Sequence, residues 1–189
     1  MPECASLRPA VFLDRDGTIA EEVGYLNHIN RFRIFPFVAA AIRRLNEASW
    51  PVVVVSNQSG VGRGYFPESL VNDVNELMKK QLSQAGATID AVYYCPHTSS
   101  DNCICRKPKN GMLEQAAREH SLDLRRSYVV GDRYADIQLA ENAGAHGILV
   151  RTGYGEGELA WHAAEWPTQP DFVAKDLAEA TDWILRQPK

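Results

Sequence analysis

The chain has 189 residues, of which 45% are hydrophobic and 23% charged, with a formal net charge of −4 at pH 7. That is the composition of an ordinary soluble domain, long enough to bury its own core without disulfides, so a single domain over residues 1–189 is expected. The mildly acidic balance excludes the electrostatic footprint of a nucleic-acid-binding or membrane-surface protein. The opening "MPECASLRPA" lacks the apolar core of a signal peptide, and no apolar run is long enough to span a bilayer. A cytoplasmic monomer with no nucleic-acid or membrane partner is therefore expected.

"AVFLD" (10–14) reads as a short buried strand ending in an acid, and "VAAAIRRLNEA" (38–48) as a helix with Ile42 and Leu45 on one face. The β-branched run "PVVVVSN" (51–57) is a second strand. "PESLVNDVNELMKKQLSQAG" (67–86) is a long helix opened by proline and closed by glycine, with Leu70, Val74 and Leu77 expected in the core. "AVYYC" (91–95), "SYVVGD" (127–132), "HGILV" (146–150) and "DFVA" (171–174) read as further strands. The spacing predicts helices over 110–121, 135–144 and 176–186, and the glycine-rich "TGYGEGE" (152–158) reads as a surface loop.

Strands alternating with helices predict a Rossmann-like, doubly wound parallel sheet covered on both faces. In such sheets ligands gather at the carboxyl ends of the strands, near the point where strand order reverses. Several strand ends here are polar: Asp14, Ser56 with Asn57, and Asp132. A lone acid after a strand is as often a helix cap, but matching strand ends point to one site.

"DRDGT" places two carboxylates at i and i+2 beyond a strand, where they share a pocket only if the chain turns; Gly17 permits the turn. With Asp132 arriving from a neighbouring strand, an uncompensated carboxylate cluster calls for a hard cation, and oxygen ligands suit Mg²⁺. A cation beside Asp14 keeps it ionised as a nucleophile, while Asp16 is placed to protonate a leaving alkoxide and then deprotonate water. Lys107, the Ser56 hydroxyl and backbone N–H groups would stabilise a phosphoryl group in transfer.

"FLDRDGTIA", "VVVSNQSG", "RKPKNGM" and "VVGDRYADIQLA", in this order, resemble the four motifs of the haloacid dehalogenase (HAD) superfamily of phosphatases. The likeness runs from about residue 10 to about residue 152. It implies an aspartyl-phosphate mechanism with Asp14 as nucleophile, Asp16 as general acid/base, and Ser56 and Lys107 steadying the phosphoryl group. Mg²⁺ would be held by the Asp14 carboxylate, the Asp16 backbone carbonyl and Asp132. With about forty residues between the first two motifs, no large cap domain is expected; the cysteine-rich loop at 95–105 and the 19–34 segment alone would screen the site.

"YYCPH" and "CICRKP" resemble the zinc-loop subgroup that contains the heptose bisphosphate and histidinol-phosphate phosphatases. Cys95, His97, Cys103 and Cys105 supply three thiolates and one imidazole, the closed donor set of structural Zn²⁺, against the bland reading of free thiols in a reduced loop. The loop ends immediately before Arg106 and Lys107, so zinc would fix that lysine and do no chemistry itself. Cys4, near the chain start, has no assigned role.

"NQSGVGRGYF", "RKPKNGML", "LVRTGYG" and "EEVGYLNHINRFRIFP" look more like the heptose branch. The expected substrate is then a small phosphorylated sugar, heptose 1,7-bisphosphate losing its C7 phosphate, in the supply of nucleotide-activated heptose for lipopolysaccharide core. By the same resemblance Asn57, Gln58, Ser59, Arg63, Arg106, Arg133, Glu22 and Tyr25 are substrate contacts. The short span between Cys-Pro-His and Cys-Ile-Cys is found in histidinol-phosphate enzymes and in some heptose enzymes, which keeps the histidinol-phosphate activity as the alternative. A polynucleotide 3′-phosphatase lacks its basic stripe here, and a catalytically dead zinc module would not need the full set of motif residues. "SGVGRG" lacks the GKS/GKT ending of a Walker A loop. Asp136 is expected to brace the helix it opens, and His28, His120, His146 and His162 to be structural or solvated.

Overall fold

A computed structural model of the chain describes residues 7–188, which leaves Cys4 outside the described residues. Six strands, β1 (Val11–Leu13), β2 (Val52–Asn57), β3 (Ala91–Cys95), β4 (Tyr128–Gly131), β5 (His146–Val150) and β6 (Phe172–Ala174), form one sheet. Its order is β3-β2-β1-β4-β5-β6, and every pairing is parallel. The order reverses between β1 and β4, so the switch point lies between the ends of those two strands, as the alternating pattern requires.

The apolar runs of the strands serve two cores. Val11, Leu13, Val52, Val54, Val130, Ile148 and Val150 join a cluster with residues of three helices, α1 (Val38–Glu47), α2 (Glu68–Gln84) and the C-terminal helix. Phe12, Val53, Val55 and Val129 face the opposite way, against α3 (Gly111–His120) and α4 (Tyr134–Ala143). Strict alternation of outward direction with no polar face is what a sheet buried on both sides demands. Ile42 and Leu45 are fully buried as expected. In α2 the buried stripe is Val71, Val74, Asn75, Met78 and Leu82, while Leu70 and Leu77 only pack against its margin.

The expected strands at 91–95 and 146–150 match in both bounds, and the other elements differ by one or two residues at their ends. One expectation fails. The glycine-rich stretch 152–158 is not a surface loop throughout, since Gly155 opens helix α5 (Gly155–His162); α6 (Leu177–Ile184) closes the fold. The glycines there answer to close approach. A Cβ at Gly155 would collide with the Val150 carbonyl, and one at Gly153 with the Asp132 carboxylate.

Candidate active site

The site is built on the carboxyl ends of β1, β2 and β4. Asp14 follows β1, and its N–H donates to the Val130 carbonyl at 2.9 Å, which ties the end of β1 to β4. Asp132 follows β4 across the switch point and is fully buried. Two glycines close on it, because a Cβ at Gly17 (φ +89°) or Gly153 (φ +58°) would overlap its carboxylate. Its Oδ2 accepts from the Tyr154 N–H at 2.8 Å, and its Oδ1 is buried with no hydrogen-bond partner among the described residues. The Thr152 hydroxyl donates to the Gly17 carbonyl at 2.5 Å, closing the β5–α5 segment over the first motif.

Lys107 arrives from the segment between β3 and α3 and is buried. Its ammonium lies 2.8 Å from Asp14 Oδ1 and 2.6 Å from Asp136 Oδ1, and donates to the Val55 carbonyl at 3.2 Å. Asp136 also caps α4, since its Oδ2 accepts from the Arg133 N–H at 3.2 Å. The Asn57 amide grips the Lys107 backbone from both sides: its Oδ1 accepts the Lys107 N–H at 3.0 Å and its Nδ2 donates to the Lys107 carbonyl at 3.2 Å.

Crowding of acids in a dry place sets the electrostatics. Burial pushes the Asp14 carboxyl up to about 7, against the pull of Lys107 and with help from Asp136 and Asp16. Burial, then Asp14 and Asp136, push Asp132 up to about 8. Burial disfavours the charge on Lys107, but the attraction of Asp136 and Asp14 outweighs it and holds the lysine above its ordinary range.

Asp14, Asp132 and Asp136 each offer an oxygen within 4.8 Å of the others. Both oxygens of Asp136 are occupied, Oδ1 by Lys107 and Oδ2 by the Arg133 N–H, whereas Lys107 meets only Oδ1 of Asp14, so Asp14 and Asp132 are the pair left to face a hard cation. The unpartnered Asp132 Oδ1 is what such a cation would satisfy, so the donor set fits magnesium.

Every residue expected to touch the phosphoryl group or the substrate lines one cavity of about 370 Å³, a size suited to a small ligand. Asp14, Asp16, Ser56 and Lys107 lie among its lining residues, with Asn57, Gln58 and Ser59 of the β2 turn. Arg63, Arg106 and Arg133 add three cations, and Glu22 and Tyr25 of the 19–34 segment also line it. Burial raises the Glu22 carboxyl, partly offset by the Gly24 N–H that it accepts. Tyr25 meets Tyr65 edge-to-face with centroids 4.7 Å apart. Arg106 donates to the His97 carbonyl at 3.1 Å, and Arg133 sits 3.8 Å over the Tyr154 ring.

Three members escaped the sequence reading. Tyr154 lay hidden in the supposed loop, although it lines the cavity. Arg15, between the two motif aspartates, is 1% exposed and donates to the Asp16 carboxylate, with its closest contact 2.8 Å from Oδ2. Asn75 of α2 accepts from the other end of the same guanidinium at 3.0 Å. The only sequence signal for Asn75 was a polar residue on the apolar face of a helix.

The thiol cluster stands beside this cavity. The ligating atoms of Cys95, His97, Cys103 and Cys105 all lie within 4.8 Å of one another, with Cys105 Sγ 3.1 Å from Cys95 Sγ and His97 Nδ1 3.3 Å from Cys105 Sγ. Burial resists ionisation at Cys103, yet the Arg106 N–H and the neighbouring thiols bring it down to about 7. Burial pushes the other two thiols up. Three sulfurs and an imidazole converging on one point fit a tetrahedral zinc ion. Of the remaining histidines, His28 caps a short 3₁₀ turn, His120 contacts the Tyr93 hydroxyl and His146 faces Asp171.

A six-stranded parallel sheet with this carboxylate and lysine cluster at its switch point is a HAD-like hydrolase fold. The HAD-hydrolase-like family model matches residues 104–180. The D-glycero-D-manno-heptose-1,7-bisphosphate 7-phosphatase of Thermosynechococcus vestitus is 45% identical over 188 residues, covering 94% of this chain and 95% of that protein. The corresponding β-heptose enzyme of Escherichia coli K12 is 38% identical over 190 residues, with 96% of each chain covered. The crystal structure of D,D-heptose 1,7-bisphosphate phosphatase from B. bronchiseptica, complexed with magnesium and phosphate, superposes with a TM-score of 0.87 at 35% identity and covers 95% of this chain and 99% of that one. The chain belongs to the HAD-like hydrolases, in the family of heptose 1,7-bisphosphate phosphatases to which these relatives belong.

Among the described residues no helix is long and apolar enough to cross a membrane.

Proposed function

We propose that this chain is a magnesium-dependent phosphatase that removes the C7 phosphate of heptose 1,7-bisphosphate and leaves the 1-phosphate. One observation carries the reading: Asp14 and Lys107 stand 2.8 Å apart in a cavity also lined by three arginines, in a chain 45% identical to a heptose bisphosphate phosphatase. A bisphosphate brings one reacting and one remote anionic end. The cavity has cations for both.

In this reading Asp14 attacks phosphorus, forming an aspartyl-phosphate as the bond from phosphorus to the sugar oxygen breaks. Asp16 gives its proton to the departing alkoxide. It then takes a proton from the water that attacks the phosphoryl group and frees Asp14. Lys107, locked by Asp136 and by the Asn57 grip on its backbone, holds phosphoryl oxygens in place with the Ser56 hydroxyl. Magnesium held by Asp14, the Asp16 backbone carbonyl and Asp132 would neutralise the clustered carboxylates and the phosphoryl oxygens. Zinc on Cys95, His97, Cys103 and Cys105 would fix the loop that ends at Arg106 and Lys107. Arg106, with Arg63 and Arg133, holds the remote phosphate and the sugar hydroxyls, and Glu22 and Tyr25 contact the sugar.

The test is a side-by-side measurement of kcat/KM for heptose 1,7-bisphosphate, histidinol phosphate and an aryl phosphate, with and without Mg²⁺. The bisphosphate should lead and phosphate release should need the metal. Arg106→Ala should cost about 10- to 150-fold on the bisphosphate, the loss of a charge-assisted hydrogen bond, and far less on the aryl ester. A preference for histidinol phosphate would overturn the substrate assignment.

A further inference from the structure

The α2 face that packs on the sheet buries Val71, Val74, Met78 and Leu82, and among them one polar residue, Asn75. It is 7% exposed. A buried amide in an apolar stripe is destabilising unless a partner meets it, and leucine would serve the packing better. The partner is Arg15, whose Nη1 donates to Asn75 Oδ1 at 3.0 Å. The other edge of the same guanidinium lies on Asp16. Nη2 is 2.8 Å from Oδ2, and Nε is 3.2 Å from each carboxylate oxygen. A planar group held at both edges cannot swing, so the Asp16 carboxylate is referenced to α2, sixty residues away in sequence.

The two oxygens of Asp16 are left unequal. Oδ2 receives Arg15 Nη2, Arg15 Nε and the Gln58 amide at 2.8, 3.2 and 2.8 Å. Oδ1 receives only the 3.2 Å contact from Nε. The oxygen free to carry and deliver a proton is therefore Oδ1.

We propose that Asn75 is a positioning residue for proton transfer: through Arg15 it holds the Asp16 carboxylate so that Oδ1 delivers the proton to the leaving oxygen. The inference rests on the reading of Asp16 as general acid. In the first half-reaction the phosphorus–oxygen bond breaks, its electron pair stays on the leaving oxygen, and the Oδ1 proton neutralises it. An alkoxide needs that proton; 4-nitrophenolate, a stable anion, leaves without it. The leaving group therefore separates positioning from mere folding.

The experiment uses the full chain with Mg²⁺ and compares Asn75→Leu, Asn75→Asp, Arg15→Lys and Asp16→Asn. The rate of the first turnover is read for the better of the two alkyl phosphates, heptose bisphosphate or histidinol phosphate, and for 4-nitrophenyl phosphate, with Tm recorded alongside. Asn75→Leu is expected to slow the alkyl ester about 10- to 100-fold with KM held within about twofold, and to slow the first release of nitrophenol less than about threefold. Asn75→Asp, which keeps the acceptor, should restore the alkyl rate to within about threefold of the parent. Arg15→Lys keeps the charge but not the double grip and should give the same selective loss, which keeps the test decisive if Asn75→Leu does not fold. An alkyl rate unchanged in Asn75→Leu and Arg15→Lys, or equal losses on both esters, overturns the inference. Asp16→Asn guards the premise: if it leaves the alkyl rate intact, the assignment of Asp16 as acid fails, whereas a loss there with none at Asn75 sinks only the role of Asn75.

Discussion

The carboxylate cluster at the sheet's switch point and the cysteine–histidine loop beside it are built on opposite terms. Asp14, Asp132 and Asp136 are buried, share one sign of charge and have a single lysine among them. One oxygen of Asp132 has no hydrogen-bond partner among the described residues. The loop is more open, its His97 exposed and its Cys103 and Cys105 only half-buried. Its donors already touch one another and make a closed set. The first cluster is a destabilised arrangement that the fold tolerates for what it can do; the second, in the proposed reading, is a zinc-held staple. The two meet at Lys107, whose ammonium belongs to the carboxylates and whose backbone follows the loop directly.

The sharpest way to break the comparison is Asp14→Asn. Removing the proposed nucleophile should lower turnover on the order of 10³-fold or more while the fold survives, because the change is nearly isosteric. Circular dichroism and phosphate release, measured together, decide it. Retention of a tenth of the activity would take the nucleophile's part away from Asp14.

A smaller effect is expected from the staple. The parent should carry about one zinc per chain through dialysis, by elemental analysis. Cys105→Ser should lose it and lower Tm by about 6–12 °C, a loss of about 3 kcal/mol at 2–4 °C per kcal/mol. Activity should fall about tenfold as Lys107 loses its anchored approach. A zinc-free variant with the parent's Tm and rate would mean that the loop supports nothing.

The smallest effect separates the clusters by pH. Asp14 and Asp132 rise from an ordinary value of 3.8 to about 7 and about 8 in the metal-free fold. Between those limits the folded chain binds more protons than the unfolded one. The stability these two groups contribute is therefore full below pH 3.8 and is lost as pH rises through 7 to 8. Magnesium should relieve that loss. The rise in Tm on adding Mg²⁺ is expected to be larger at pH 8 than at pH 5.5, and a rise independent of pH would count against the Asp14–Asp132 pair as its seat.

Much of this was legible in the sequence because it was local. The β-branched run ending in Ser56, the acid closing "AVFLD" and the spacing of the four loop ligands each sit within a few residues and report period, strand end or donor chemistry directly. What stayed hidden depends on partners distant in the chain. Nothing in the sequence marks Arg15, because its hold on Asp16 is completed by Asn75, a partner sixty residues on. Asn57, expected at the substrate, does line the cavity, but its amide is spent on the Lys107 backbone, fifty residues on. The stretch 152–158 misled because its glycines look like freedom in a sequence. In the fold Gly153 and Gly155 give room to Asp132 and the Val150 carbonyl.

The strand order carries a further consequence for how the molecule comes into being. β1 leaves the ribosome first yet lies in the middle of the sheet, and its second neighbour is β4, with Val11 paired to Tyr128. Until that late segment is made, one edge of β1 stays open, Asp14 has no Asp132 beside it, and Lys107 has no Asp136 to hold it. Long-range parallel pairing of this sort is slow to form and leaves apolar edges exposed in the interval. No nascent fragment ending before the fourth strand can hold a working site, so catalysis reports that this strand has joined the sheet.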